Sequence, residues 1–189
     1  MLHFKPSVIP NQLETDRLCL RYPSAADAAM IHASVLETLD DLRRFPGASP
    51  WAEAEPSMAA TEMRCKAGEL AFLEGAAFPF VVLLKSSGEH VGNVGLHSVD
   101  WSIPKAEIGY WCRRSQQGEG LMLEAVRAVA SFAFETLGMR RVQAQTHELN
   151  TASCRLCERA GFELEAVLRH HGRGPDNELG STRVYAQIR

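Results

Sequence analysis

The stretch Gln117-Gly118-Glu119-Gly120-Leu121-Met122 joins the end of a predicted strand to a long apolar segment. Glycines at positions 118 and 120 let the backbone turn sharply and leave no Cβ atom in the way of a ligand. Because the first N–H groups of a helix have no intrahelical acceptor and carry partial positive charge, such a junction can bind an anion. Glycines also occur in ordinary strand-to-helix turns, so phosphate binding is one of two interpretations of this strand–turn–helix unit.

The apolar segment after the turn predicts a helix over residues 120–137, closed by Gly138 as a C-cap. Its polar residues fall on one narrow stripe, so the other faces of the helix must be buried against a sheet. They are Glu124, Arg127, Ser131 and Glu135.

Alternating and helical apolar patterns place further elements on both sides of this helix. The predicted strands cover residues 17–22, 80–85, 90–99, 106–112, 141–146, 162–169 and 183–188, and the other predicted helices cover residues 28–39, 57–72 and 151–160. Hairpins come first, and a βαβαβ order surrounds the helix that follows the glycine turn. Helices among mixed strands predict a three-layer α/β/α fold with a central mixed, mostly antiparallel sheet.

Length and composition indicate one globular domain. A chain of 189 residues buries a core without disulfides, and its hydrophobic fraction of 46% is ordinary. Prolines at positions 6 and 10 predict a loosely attached lead-in over residues 1–12, followed by a single domain over residues 13–189. A net charge of −3 argues against a broad nucleic-acid surface. The chain has no apolar run of about 20 residues and no apolar signal core near its N-terminus, so we expect a cytoplasmic protein without a membrane partner.

The cysteines are odd in number and scattered, which favours reduced thiols over a disulfide framework. They are Cys19, Cys65, Cys112, Cys154 and Cys157. Cys154 and Cys157 have the spacing of some zinc and redox sites, but no second such pair and no histidine pair at ligand spacing accompanies them. We therefore expect plain helix cysteines and no metal.

Two other phosphate-binding motifs do not match the glycine turn. The P-loop requires Gly-Lys-Ser/Thr after a four-residue gap, and the chain has no such run. The dinucleotide-binding fingerprint requires a third glycine at position 123, where Leu123 stands.

The order of motifs around the turn resembles that of a known family, the GNAT acetyltransferase superfamily, and within it the RimJ/RimL-like branch of N-terminal and small-amine acetyltransferases. The motifs are Glu107-Ile108-Gly109-Tyr110-Trp111, the glycine turn itself, Asn150-Thr151-Ala152-Ser153 and Gly161-Phe162. The opening Leu13-Glu14-Thr15-Asp16-Arg17-Leu18 and the ending Arg183-Val184-Tyr185-Ala186 are similar to that branch as well. The resemblance spans residues 13–188.

The resemblance implies a binding site for acetyl-CoA. The turn would hold the pyrophosphate through its backbone N–H groups, with Met122 replacing a smaller residue of the family. The strand before the turn would splay from the next strand, and Trp111, Cys112 and Arg113 would pair with pantetheine. Asn150 would hold the pantetheine arm, and Ser153 would lie near the thioester or the phosphates. The remaining turn residues in this cofactor set are Gln117, Gly118, Glu119, Gly120 and Leu121. A homodimer is also implied.

Acyl transfer to an amine requires a neutral nucleophile, a polarised carbonyl and a proton for the leaving thiolate. Glu107, on the strand that leads to the turn, is our candidate base, acting through water; the alternative is that it faces solvent on a half-buried strand. His97 and His147 are lesser base candidates, because a lone histidine is more often structural. We expect His170 and His171 to form an exposed turn after a strand.

The residue that protonates the thiolate is the weakest part of the resemblance. Many members of the superfamily have a tyrosine four residues after the serine, and here that position is Cys157. Ser153 and Cys157 share one helix face, so both are candidates, with Ser153 preferred. Direct protonation by the substrate ammonium stays open. Trp51, on a proline-rich loop, and His97 are candidates for the wall of the acceptor pocket.

We therefore expect an acetyl-CoA-dependent N-acetyltransferase that works by direct attack in a ternary complex. The acceptor is a protein N-terminus or a small-molecule amine. Two alternatives remain: a non-catalytic acyl-CoA-binding module, in which Cys157 in place of tyrosine marks lost activity, and a nucleotide-dependent enzyme that uses the same turn.

Overall fold

The computed structural model describes residue 6 and residues 8–189. In this part of the chain the strands are β1 (Gln12–Glu14), β2 (Leu18–Arg21), β3 (Phe78–Leu84), β4 (His90–Asp100), β5 (Lys105–Cys112), β6 (Arg141–His147), β7 (Glu163–Arg173) and β8 (Leu179–Ile188). The α-helices are α1 (Ala28–Arg43), α2 (Met58–Glu74), α3 (Leu121–Ser131) and α4 (Thr151–Ala160). Each predicted strand and helix is present, with ends that differ by a few residues, and β1 is a strand that the patterns did not predict.

The strands form one mixed sheet in the order β1-β2-β3-β4-β5-β6-β8-β7. β5 and β6 are parallel, with α3 as their crossover, and the other neighbours are antiparallel. The predicted α/β fold with a mixed, mostly antiparallel sheet is confirmed. The C-terminal strand order goes beyond the βαβαβ prediction, since β8 inserts between β6 and β7.

Helices cover both faces of the sheet. On β3, Phe80 and Val82 point into a cluster with α3, whereas Val81 points into a cluster with α1, and all three side chains are fully buried. Alternation along a strand explains this division, since successive side chains leave opposite faces. The result is three layers, with α1 and α2 on one face and α3 and α4 on the other.

α3 confirms most of the pattern seen in the sequence. Ala125, Val126 and Val129 are buried against the sheet, and Arg127 is exposed as predicted. The α-helical bonding ends at Ser131, however, and a single π-helical turn, Phe132–Thr136, continues the apolar segment. Gly138 then takes a φ of +69°, which ends the segment in the left-handed conformation that glycine adopts readily.

His170 and His171 are exposed as predicted, but the prediction that they form a turn is wrong. Both residues lie within β7, which runs on to Arg173, at an irregularity in its pairing with β8. His170 has a φ of +52°, and His171 Nδ1 lies 3.2 Å from the Thr182 Oγ1 on β8. The apolar alternation ends before the strand does, because the bulge interrupts the pattern.

Half of the predicted lead-in falls outside the described residues, namely residues 1–5 and 7, so it stays a prediction. Within the described part, Gln12 already belongs to β1. None of the described helices has the length and apolar character needed to cross a membrane.

Candidate active site

β5 and β6 diverge toward their C-terminal ends. They are paired over only three residues, 105–107 of β5 opposite 141–143 of β6. Beyond this point residues 108–112 pair with β4 alone, and residues 144–147 pair with β8 alone. The sheet therefore contains an open wedge between two parallel strands.

Cys112 directs its backbone polar groups into this wedge. The Arg113 N–H donates to the Val91 carbonyl oxygen at 2.8 Å. In an antiparallel ladder, alternate residues direct their N–H and C=O groups to the same side, so the backbone N–H and C=O groups of Trp111 also point toward β4. By the same alternation, the backbone N–H and C=O groups of Tyr110 and Cys112 point toward the wedge. Of the three residues predicted to pair with pantetheine, only Cys112 has its backbone directed there.

The glycine turn leaves the N-terminus of α3 uncovered. Gly118 and Gly120 have φ values of +83° and +74°, in the left-handed region that favours glycine. Gly120 is the N-cap and offers no side-chain acceptor, and the first backbone bond into α3 joins the Glu124 N–H to the Gly120 carbonyl oxygen at 3.1 Å. The N–H groups of residues 121–123 have no acceptor in the described part of the chain. Such a cradle fits phosphate oxygens.

Glu124 braces this turn instead of facing solvent on the polar stripe. Its carboxylate lies 2.7 Å from the Arg17 Nη2, and a second Arg17 nitrogen, Nη1, donates to the Glu119 carbonyl oxygen at 3.1 Å. Burial acts to raise the pKa of Glu124, but hydrogen bonds from Thr15 and Arg17 outweigh it and hold the pKa below its usual value. The first turn of α3 is thus tied to the segment before β2.

Helix α1 holds the other side of the turn. Glu37 Oε1 accepts from the Ser115 N–H at 2.7 Å, and Glu37 Oε2 accepts from the Arg113 Nε at 2.6 Å. Next to it, the Thr38 Oγ1 accepts from the Arg114 N–H at 3.1 Å. The hydrogen bonds from Ser115 and then Arg113 lower the pKa of Glu37 to about 2. The segment between β5 and the glycine turn is therefore held in place by the Glu37 carboxylate, which stays ionised.

Tyr110 joins Ser153 and Cys157 in one cluster. Its hydroxyl oxygen lies 2.9 Å from the Ser153 Oγ and 3.2 Å from the Cys157 Sγ. Burial is the main cause that raises the pKa of both Tyr110 and Cys157 above the usual values, so both groups are protonated at neutral pH. Ser153 and Cys157 do share one face of α4, as predicted, and the strand supplies a phenol beside them.

Asn150 and Gln117 stand at the two helix starts. Asn150 is the N-cap of α4, and its Oδ1 accepts from the Ser153 N–H at 3.2 Å. Its amide nitrogen makes no hydrogen bond within the described chain and is left for a ligand. The Gln117 Nε2 donates to the Cys112 carbonyl oxygen at 3.3 Å and closes the turn.

Glu107 lies on the wall of a cavity of about 720 Å³, a size typical of small-molecule sites. Its Oε2 accepts from the Gln143 Nε2 at 3.3 Å and the Gln145 Nε2 at 3.4 Å, both on β6. Its Oε1 lies 4.0 Å from the His97 Nε2 across the β4–β5 pair. The sequence-predicted base and a sequence-predicted pocket residue therefore meet at one cavity.

Trp51 lines the same cavity together with Trp111. Trp51 lies in a short 3₁₀ turn, Pro50–Ala52, and its ring centroid is 6.1 Å from that of Trp111. Arg64 on α2 places its guanidinium carbon 5.1 Å from the Trp51 ring centroid. The loop between α1 and α2 thus supplies one wall of the cavity.

His147 does not line this cavity. Its ring is buried and stacks with Phe45 at a centroid distance of 5.4 Å. Its Nδ1 accepts from the Leu149 N–H at 3.2 Å, and its Nε2 has no partner in the described chain. These contacts are those of a structural histidine. Among the described residues, no cluster of His, Cys, Asp or Glu has the arrangement of a metal site.

Three residues of the site were not predicted from the sequence: Tyr110, Glu37 and Arg64. Tyr110 was quoted within a motif but carried no signal of its contact with α4. Glu37 and Arg64 lie on α1 and α2, where a charged residue ordinarily indicates a solvated face. Only the packing of the layers brings them to the turn and the cavity.

A family model described as an acetyltransferase (GNAT) domain matches residues 17–163. The uncharacterized N-acetyltransferase p20 of Bacillus licheniformis is 28% identical over 84% of this chain and 86% of its own. The ribosomal-protein-serine acetyltransferase of Escherichia coli K12 is 30% identical over 43% of this chain and 45% of its own.

Among solved structures, the RimL ribosomal L7/L12 α-N-protein acetyltransferase in complex with coenzyme A has a TM-score of 0.84. It is 22% identical and covers 96% of this chain and 98% of its own, so this likeness concerns the fold. The family model covers most of the chain, and the fold agrees with it. The chain therefore belongs to the GNAT acetyltransferase family and is an N-acetyltransferase.

Proposed function

We propose that this protein transfers the acetyl group of acetyl-CoA to a primary amine by direct attack in a ternary complex. The observation that carries the proposal is the wedge between β5 and β6, which opens beside the unpaired N–H groups of residues 121–123. A diphosphate fits those N–H groups, and an extended thiol-bearing arm fits between the strands. The RimL structure with coenzyme A supports this choice of cosubstrate.

The chemistry needs a base on the acceptor side and a proton donor on the thiol side. Glu107 takes the amine proton through a water molecule while the nitrogen attacks the thioester carbonyl, so that a C–N bond forms and the C–S bond breaks. Ser153 gives its hydroxyl proton to the departing thiolate and regains one through water from the proton that the amine has released to Glu107, and Tyr110 orients that hydroxyl. Cys157 is the second candidate, because an S–H group is a weak hydrogen-bond donor.

The acceptor is a protein N-terminal α-amine or a small-molecule amine. The names of the RimL structure and of the E. coli relative support a protein N-terminus. An α-amine titrates near 8 and a lysine near 10.4, so an α-amine is neutral more often at physiological pH and needs a weaker base. A single carboxylate acting through water is sufficient for it. The cytoplasmic location and the homodimer stay predictions.

An acceptor screen tests the proposal. Release of free thiol from acetyl-CoA is followed with peptides of varied first residue and with small amines, while calorimetry compares the binding of CoA, NAD and ATP. We expect CoA to bind most tightly and at least one amine to be acetylated. Tight CoA binding without turnover on any acceptor would favour the non-catalytic acyl-CoA-binding module, for which Cys157 in place of tyrosine is the one supporting observation. Preference for NAD or ATP would end the assignment of the turn to CoA.

A further inference from the structure

The cavity beside Glu107 contains charge of both signs. Glu107 is the acidic side chain among the residues that line the cavity. Arg64 on α2 is the permanently charged basic side chain among them. The rest of the lining is mainly apolar or uncharged, including the rings of Trp51 and Trp111. A mainly apolar cavity with two opposite charges selects a ligand that carries opposite charges as well.

Arg64 has no anionic partner in the described part of the chain. Its Nη2 donates to the Thr61 Oγ1 at 3.1 Å, and its guanidinium group lies over the Trp51 ring. A guanidinium has five N–H donors and no acceptor, so most of its donors are left for a ligand. Partial burial lowers the pKa of Arg64, which indicates a cation that has lost water without gaining a carboxylate.

Four other partly buried arginines of this protein are paired. Arg21 binds Asp27, Arg43 binds Glu55, Arg113 binds Glu37 and Arg141 binds Glu165. Arg183 is also partly buried without an ion pair in the described part of the chain, but it does not line the cavity, and Tyr185 and Glu148 raise its pKa. Arg64 is the arginine that lines the cavity, and its pKa is lowered by burial without a carboxylate partner.

We propose that Arg64 binds an anionic group, a carboxylate or a phosphate, of the acceptor amine, whose amino group lies near Glu107. The inference rests on the proposed function and specifies its substrate class: the acceptor carries an oxyanion as well as a primary amine. A guanidinium matches the planar pair of oxygens in either anion. Stacking on Trp51 holds it in place for that contact.

The two charges are separated along the cavity. Glu107, Gly109 and Trp111 share one face of β5, so Glu107 and Trp111 are about 13 Å apart along the strand at about 3.3 Å per residue. Arg64 is next to the Trp51–Trp111 pair. Gly109 lies between Glu107 and Trp111 on this strand and adds no side chain to the cavity. An acceptor that reaches both ends has its anion several bonds away from its amine.

Matched acceptors test the inference. One series is the peptide amides Ala-Ala-Asp, Ala-Ala-Asn and Ala-Ala-phosphoserine, and the other is a set of ω-amino carboxylates of increasing length with their carboxamides. The protein variants are Arg64→Met, which keeps the length of the stem, and Arg64→Lys, which keeps the charge. Arg44→Met is the control, because Arg44 also contacts a ring, that of Phe45 at 5.8 Å, but does not line the cavity.

For the native protein we expect kcat/KM to be roughly 10-fold to 100-fold higher for an anionic acceptor than for its neutral counterpart, the range of a charge-assisted hydrogen bond. Arg64→Met removes the preference, Arg64→Lys keeps part of it, and Arg44→Met leaves it unchanged. The carboxylate and phosphoserine arms show which anion is preferred. Thermal unfolding of each variant checks that the fold is retained.

Calorimetric binding of the same acceptors in the presence of CoA separates the two proposals. Tighter binding of the anionic acceptors that Arg64→Met abolishes, without any turnover, supports the anion site and contradicts the acetyl transfer. Turnover that is equal for anionic and neutral acceptors, or a preference that survives in Arg64→Met, overturns the anion site and leaves the acetyl transfer standing. Neither turnover nor an anion-dependent difference in binding overturns both.

Discussion

The hydroxyl of Tyr110 lies 2.9 Å from the Oγ of Ser153, although the two residues are 43 positions apart in the chain. The contact joins β5 at the edge of the wedge to the first turn of α4. It places a buried phenol beside the side chain that we propose as the proton donor to the thiolate. In this chain a strand residue thus provides a hydroxyl next to Cys157, where many family members have a tyrosine on the helix.

Tyr110→Phe tests whether this contact orients Ser153. The variant keeps the ring and removes the hydrogen bond, so we expect kcat to fall by about 10-fold while KM for acetyl-CoA changes little. Steady-state kinetics with saturating acceptor gives the split between the two constants. Cys157→Ala is the matched control, because it removes the other contact of the Tyr110 hydroxyl. We expect it to have a much smaller effect on kcat. A purely structural contact would lower the midpoint of thermal unfolding and leave kcat of the folded enzyme intact.

Gly120→Ala tests the anion cradle at the start of α3. At a φ of +74° a Cβ atom adds about 1–2 kcal/mol of strain and shifts the following N–H groups. We expect the Kd for CoA to rise by roughly 10-fold. Gly88→Ala is the control, because Gly88 has the same φ of +74° in the β3–β4 turn with open space around its Cβ position. Calorimetry that finds equal CoA affinity for both variants would show that the turn does not hold the cosubstrate.

Glu37 makes a prediction about pH. Its pKa in the folded protein is about 2, below the ordinary value of 4.5, because of the hydrogen bonds from Ser115 and Arg113. The ionised form is therefore stabilised by folding, so its contribution is complete above about pH 5 and is lost as the pH falls toward 2. The difference in urea midpoint between the native protein and Glu37→Gln should be constant from pH 7 to 5 and shrink below pH 4.5.

The same variant, Glu37→Gln, should weaken CoA binding by a few-fold at neutral pH, since the segment before the turn loses its clamp. Asp41→Asn is its matched control. The Asp41 carboxylate pairs with the more exposed Arg114 at 3.0 Å, and surface pairs of this kind contribute little.

For the pH prediction, a difference in urea midpoint between the native protein and Glu37→Gln that grows on acidification would contradict the assigned direction of the Glu37 pKa.

Glu107→Gln tests the base. The amide is close to isosteric with the carboxylate, so the cavity keeps its shape while proton removal from the amine is lost. We expect kcat/KM to fall by about 100-fold and the Kd for CoA to stay unchanged. In the pH–rate profile of the variant, ionisation of the acceptor amine should be the only titration that limits the rate. Native activity in this variant would return Glu107 to the alternative of a solvent-facing strand residue.

Local signals in the sequence determined most of the elements and, for α4, its ends as well. α4 runs from Thr151 to Ala160 as predicted, because Asn150 caps its start and Gly161, with a φ of +93°, ends it. The glycines at 118 and 120 likewise indicated the turn, since a positive φ is a property of the residue itself. Alternation along β5 places Glu107 and Trp111 on one face of the sheet, but the sequence does not show what lies opposite that face.

Contacts between distant residues were decided by the tertiary structure alone. Ser115 meets Glu37 across 78 positions, and Arg17 meets Glu124 across 107. Neither pair has a signal in a single sequence, because a periodic pattern shows which face of an element is buried and not which element covers it. The insertion of β8 between β6 and β7 has the same origin, since strand order depends on competition among long-range pairings. The sequence by itself therefore determined where the backbone turns and exposes its N–H groups, and the packing of the layers decided which side chains stand around them.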